Sequence, residues 1–247
     1  METIDEVVRG LDEVIVRSRR GGSCLGYFPA LYRRVTLRVQ QGIAAGEFED
    51  GPRMARLLVT FASRYLDALA QFEAGTGPTA AWRVSFQAAD DPSLIVLQHL
   101  LLGMNAHINL DLGIAAATVS EGADLEELRG DFDRVNDVLS SLVDEVNADL
   151  TQVWPPLRIL NVFGRTASGR VTDFSMREAR DHAWKLAEEL ATQPSASWDA
   201  VIDLTDRRVT LLARLVRRPP LMMRLLLRAI RMRERGSVAD RIDALSD

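Results

Sequence analysis

Apolar residues recur along this chain at the three-and-four spacing of helices, and no stretch alternates strictly, so the pattern predicts an all-α fold. Ile4, Val7, Val8, Leu11 and Ile15 line one face of a helix over 4–16, and Arg19-Arg20-Gly21-Gly22-Ser23 reads as a break. A second helix covers 28–45. Pro52 suits a first helical turn and opens a third, which runs to about Glu73 with Leu57, Leu58, Phe61, Tyr65, Leu69 and Phe72 inward. A short helix follows over 79–88. Asp91-Pro92 then reads as an N-cap with proline at the first helical position, starting a long helix over 92–119. The stretch 124–153 is amphipathic and stops at Trp154-Pro155-Pro156, and 163–172 reads as an exposed loop. Ser175 and Glu178 form a capping-box pattern that opens a helix through about Ala191. Another helix covers 198–216, and Pro219-Pro220 separates a terminal one over 221–235. The expected architecture is a single-domain bundle of seven to nine helices over 1–218 around a central buried helix near 92–119. A basic amphipathic helix within 219–247 packs on the bundle or on a partner.

The central helix carries the most demanding pattern. Gln98 to Gly113, QHLLLGMNAHINLDLG, is apolar almost all round, yet holds two histidines, an aspartate and three amides. Such a helix is buried, and each polar group in it needs a partner to offset its desolvation. At about 100° per residue, His99, His107 and Asp111 fall in one sector and Gln98, Asn105 and Asn109 on a second stripe. Gly103 lies between the histidines, where it leaves room for a ligand, a water or another helix.

His107 and Asp111 have the i, i+4 spacing that lets neighbouring turns grip one ion, whereas His99 sits about 12 Å further along the axis. Bundle metal sites draw ligands from several facing helices, and Asp67 and Asp137 are the candidates to complete this one. Asp137 lies on a stripe with Asp133, Ser141 and Asp144. Zinc or non-haem iron suits such a set, activating water or polarising a carbonyl or phosphate. The first expectation is therefore a metal-dependent hydrolase or lyase acting on a small molecule. In it His107, Asp111 and Asn105 are catalytic, His99, His107, Asp111, Asp67 and Asp137 hold the metal, and Gln98, Asn109, Arg64 and Tyr65 contact substrate. A second is a ligand-binding or scaffold protein whose polar layer only orders the core. A third is a metal-free cyclase or lyase with His107 or Asp111 as acid or base. Asn136, Ser140 and Asp144 also resemble the magnesium-binding triad of class I terpene synthases, without that family's opposing Asp-rich motif. His182, beside an apolar helix face, reads as a boundary residue.

Composition narrows the classes. The single cysteine, Cys24, excludes an internal disulfide framework and a Cys-based zinc site, and the amino terminus lacks an apolar secretion core, so a cytoplasmic protein is expected. The net charge of −5 hides an asymmetry: Arg207 to Arg235 holds ten Arg against one Glu, or +9, leaving −14 for the rest. The segment LMMRLLLRAIRMRER at 221–235 suits an anionic membrane surface, the acidic body of its own domain, or a second subunit in a homodimer. Aromatics at 6% give little means to stack bases, so nucleic acid is not an expected partner.

Five blocks, GYFPALYRRVT at 26–36, FEDGPRM at 48–54, RYLDA at 64–68, LQHLLLGMNAHINLDLGIAAA at 97–117 and FSMREARDHAW at 174–184, resemble a bacterial family known only as a domain of unknown function, number 5995. The resemblance implies one helical domain whose signature includes His99, Asn105, His107, Asn109 and Asp111, and it implies no catalytic role.

Overall fold

The structure is a computed structural model that describes residues 1–135 and 176–247, and among these there is no strand. Helix α1 (Ile4–Gly21) is capped by the Thr3 hydroxyl, which accepts from Glu6 N, and ends where Gly22 turns left-handed at φ 63°. It therefore runs past the break expected after residue 16, because the two arginines sit well in a last helical turn and only Gly22 supplies the stop. Helix α2 (Tyr27–Ala44) follows, and then α3 (Gly51–Glu73), whose N-cap Asp50 accepts from Arg53 N. Asp206 accepts from Ala80 N and Ala81 N to start α4 (Ala80–Gln87).

The central helix starts later than Asp91-Pro92 suggests. Asp91 spends its carboxylate on Ser93, accepting from its N–H at 3.1 Å and its hydroxyl at 2.6 Å, so the chain makes a turn before helix α5 (Val96–Ala106) begins. The free amides at that end are met by Gln98, which accepts from Ile95 N, and by Glu234, which accepts from Val96 N. A π-helical turn over His107–Asp111 follows, then α6 (Leu112–Val119). By length and composition Val96–Val119 could cross a membrane, with mean hydropathy 1.3, but 83% of its most apolar stretch is buried within the fold.

Beyond it, Leu125–Leu128 makes a single 3-10 turn and residues 129–135 are helical. The expected helix over 124–153 otherwise lies outside the described residues, as do the 163–172 loop and the Ser175 end of the capping box. Four more helices complete the chain: α7 (Met176–Ala191), α8 (Asp199–Arg217), α9 (Leu221–Arg231) and α10 (Val238–Ser246). The ten helices among the described residues slightly exceed the expected seven to nine. The π turn divides the central helix, and α10 adds a short element whose Ser237/Asp240 capping pair starts it.

The central helix is enclosed by its neighbours. Helices α2, α4 and α8 pack along α5, and α3 and α7 pack along the π turn and α6. A Cβ on Gly113 would come within 2.6 Å of the Ala183 carbonyl, so the glycine lets α6 and α7 touch backbone to backbone. Leu102, Leu110, Ala106, Ala115 and Ala116 have no exposed surface, each large side chain among them contributing about 1.5–3 kcal/mol by burial. The C-terminal segment returns to the bundle, with Leu227 and Ile230 against Ile95, and Ile242 and Leu245 against Tyr27, Val96 and Leu100.

Candidate functional site

The two polar stripes of the central helix have different fates. On one, Gln98 Nε2 donates to the Val216 carbonyl at 2.8 Å and Asn105 Nδ2 donates to the Val209 carbonyl at 2.9 Å, both on α8. Asn109 Nδ2 in turn donates to Asn105 Oδ1 at 3.1 Å. This stripe is a seam between two helices, which supplies partners for buried amides and fixes the register of α8. Asn105, Gln98 and Asn109 are thus placed away from His107, and Asn105 and Asn109 border an open groove of about 340 Å³ against α7 and α8.

The other stripe converges on a charge. Asp111, 1% exposed, accepts from Arg64 Nε of α3 at 2.8 Å through one oxygen and from Trp82 Nε1 of α4 at 2.8 Å through the other. His107 Nδ1 faces the latter oxygen at 3.6 Å, close enough for attraction and beyond hydrogen-bonding distance. Burial pushes the Asp111 carboxyl up, but His107, Arg64 and Trp82 outweigh it and hold it below the ordinary aspartate value. Burial pushes the His107 imidazole down more strongly than Asp111 raises it, and Arg64 adds to the lowering. The pair at neutral pH is therefore a carboxylate beside a neutral imidazole. Because a carboxylate only accepts, its nearness favours the tautomer with the imidazole proton on Nδ1, which leaves Nε2 with a lone pair.

Aromatic rings hold this imidazole. Phe61 stacks on it with centroids 3.5 Å apart and planes 7° from parallel, while Tyr32 and Phe28 meet it edge-on at 4.4 and 5.5 Å. Neither ring nitrogen has a hydrogen-bond partner among the described residues, and the Tyr32 hydroxyl has none either. Both side chains line a cavity of about 90 Å³ whose other walls, among the described residues, are apolar with one exception and come chiefly from α2, α3 and the central helix. The exception is Arg180 of α7, 4% exposed, whose guanidinium lies over the Phe132 ring, donates through Nη2 to the Phe132 carbonyl, and has no partner for Nε among the described residues. Burial lowers this guanidinium to about 10, against the pull of Asp133 and Asp181.

His99 is not part of this group. A Cβ on Gly103 would lie 2.5 Å from the Phe28 ring, so Phe28 fills the space that the glycine leaves open on the face between the two histidines. His99 packs edge-on against Tyr27 at 5.6 Å and borders a separate small cavity with Cys24, Tyr65 and Trp82. Burial pushes its imidazole down to about 4, with Asp91 pulling the other way. Asp67 is exposed, because it falls one residue beyond the inward-facing Tyr65 and Leu66 on α3. Tyr65 contributes a ring to the cluster with Phe28 and Trp82, and Arg64 serves Asp111. Asp137, and with it Asn136, Ser140, Ser141 and Asp144, lies outside the described residues.

The donors that are described do not suit a metal ion. Both oxygens of Asp111 are already engaged, one by a cation, and no three His, Cys, Asp or Glu side chains come together among the described residues. What the arrangement offers is an imidazole in a largely apolar recess, with the Arg180 guanidinium in its wall and the Arg64 guanidinium across Asp111. Sequence reasoning missed Trp82, Phe61, Tyr32 and Arg180. Each belongs to a helix other than the central one, and only Phe61, i−3 from Arg64 on an apolar stripe, carried even a local signal.

No curated protein matches the chain, and no solved structure does. A family profile covers residues 4–219, and on that match the chain belongs to the family of unknown function DUF5995.

Proposed function

We propose that the cavity beside His107 binds a small, largely apolar molecule bearing an acidic group, and that His107 acts on it as a metal-free acid–base residue. The observation that carries this reading is the His107 imidazole, 2% exposed, which has no hydrogen-bond partner among the described residues and lines a recess whose described walls are largely apolar. A buried polar atom left unpaired costs about 1–3 kcal/mol, which a ligand atom at that place offsets. Arg180 supplies the anchor for the acidic group, since a guanidinium in an apolar wall favours an anion beside it.

In this reading Arg64 and Trp82 position Asp111, Asp111 orients the Nδ1 proton, and Nε2 takes a proton from the bound molecule. Elimination suits the recess better than hydrolysis: among the described residues only His107, the Tyr32 hydroxyl and Arg180 could hold an attacking water there, whereas elimination needs none, the C–H pair becoming the new double bond as the leaving group departs with its own pair. A second reading, in which the polar layer only orders the core, draws on the Gln98/Asn105 seam, where every amide is used for packing.

Mass spectrometry of small molecules released from the purified protein, with elemental analysis of the same sample, separates these. The proposal expects an apolar acid at near-stoichiometric amount, no stoichiometric metal, and loss of the acid in His107→Phe and Arg180→Met. Protein that releases nothing, and whose melting no apolar carboxylic acid shifts, overturns it. Stoichiometric zinc or iron overturns the metal-free mechanism.

A further inference from the structure

Among the described residues, helices α8 and α9 carry most of the large apolar side chains left in solvent. On α8, Leu204, Leu211 and Leu215 stand at i, i+7 and i+11, which aligns them along the outer face, and Leu211 and Leu215 are each 60% exposed. Arg207, Arg214 and Arg218 repeat that spacing three residues later, forming a basic rail beside the apolar one. After Pro219-Pro220, α9 repeats the design. Leu221, Leu225 and the following Met232 face outward with Met222 beside them, at 62%, 53%, 82% and 80% exposure, and Arg224 and Arg228 flank them. The opposite face of α9 is already used, through Leu227 and Ile230 against Ile95.

Single exposed leucines are ordinary, but aligned rows of them on two consecutive helices mark faces suited to a partner. Its chemistry is specific. The apolar members are aliphatic, without the aromatic anchors that dominate protein interfaces. Arg207, Arg214, Arg218, Arg224 and Arg228 form no ion pair among the described residues, whereas the nearby Glu234 is engaged by Arg231 and Arg241. A second copy of the chain would set these basic rails against themselves, which like-charge repulsion disfavours. An apolar layer overlaid by negative charge is the complement of this face, and a bilayer bearing anionic headgroups provides both.

We propose that the outer face of α8 and α9 docks the protein on anionic lipid membrane, with the Leu and Met side chains entering the headgroup boundary and the Arg side chains on phosphates. The test is co-sedimentation of the full chain with phosphatidylcholine vesicles, with and without phosphatidylserine, at low and high salt. Binding is expected only with phosphatidylserine and is expected to weaken as salt rises. Arg214→Gln with Arg218→Gln is expected to weaken it roughly 30-fold, two charges at about 1 kcal/mol each. Leu211→Glu with Leu215→Glu is expected to abolish it, and because these positions are exposed, thermal melting is expected to stay unchanged. No binding to phosphatidylserine vesicles, equal binding to phosphatidylcholine alone, full binding by the Leu→Glu variant, or a solution dimer that this variant dissociates each overturns the proposal.

Discussion

Replacing His107 by phenylalanine is expected to stabilise this protein while removing the proposed ligand site. The imidazole is enclosed by Phe61, Tyr32 and Phe28, so a phenyl ring inherits the stacking at 3.5 Å, and the adjoining cavity of about 90 Å³ accepts the one extra ring atom. Lost with the imidazole are two nitrogens that have no hydrogen-bond partner among the described residues and an attraction to Asp111 across 3.6 Å, and Asp111 keeps Arg64 and Trp82. Removing an unsatisfied buried nitrogen returns about 1–3 kcal/mol, less a fraction for imperfect fit, for a net gain of about 1–2 kcal/mol. For a chain of this length that raises Tm by about 2–8 °C. The assay is urea and thermal unfolding of both proteins after refolding from denaturant, which frees them of co-purified molecules. The advantage is also expected to widen as pH falls from 7 to 5. The folded-state pKa of His107 lies below the unfolded value of about 6.5, so below pH 6.5 the unfolded chain binds more protons and the wild type loses stability that the variant keeps. A variant that is less stable than wild type by 1 kcal/mol or more would refute the reasoning, since it would mean that the nitrogens are satisfied in the resting protein.

Three further outcomes follow from the same contacts. Trp82→Phe removes a donor to a buried carboxylate and is expected to cost about 1.5–3 kcal/mol in urea unfolding while raising the Asp111 pKa. Asn105→Ala breaks the donation to Val209 and strands Asn109, so it is expected to destabilise by about 1–3 kcal/mol with no change in the affinity of the His107 site, measured by calorimetry with the released ligand. His99, held at about 4 by burial against 6.5 when unfolded, is expected to cost the wild type about 3 kcal/mol progressively between pH 6.5 and pH 4, and His99→Phe is expected to flatten that part of the stability profile.

Much of the fold was legible because the chain is so regularly amphipathic. The central helix, its burial and its division into two polar stripes follow from the spacing of His99, His107 and Asp111 against Gln98, Asn105 and Asn109. What each stripe meets did not follow, because Arg64, Trp82, Arg180 and the α8 carbonyls arrive from segments whose order in space no local pattern encodes. Gly103 illustrates the limit. Its lack of a side chain correctly marked a close approach, but the occupant is the Phe28 ring, and that ring separates the histidine environments expected to cooperate. Asp67 failed for a simpler reason, since one residue along a helix turns a side chain by about 100° and carries it from core to solvent. The start of the central helix was misplaced because Asp91 can cap a helix or close a turn on Ser93, and the two uses have the same sequence signature.

The central claim is that His107 is a neutral base whose Nε2 lone pair faces the cavity. Nitrogen NMR of protein labelled at its three histidines, titrated from pH 8 to pH 5 and assigned with His107→Phe, reads both protonation state and tautomer directly. The account expects the His107 ring to stay neutral well below pH 6.5, protonated on Nδ1 and bare on Nε2, with the Nε2 signal moving when an apolar carboxylic acid binds. A ring that is cationic at neutral pH, or that carries its proton on Nε2, contradicts it.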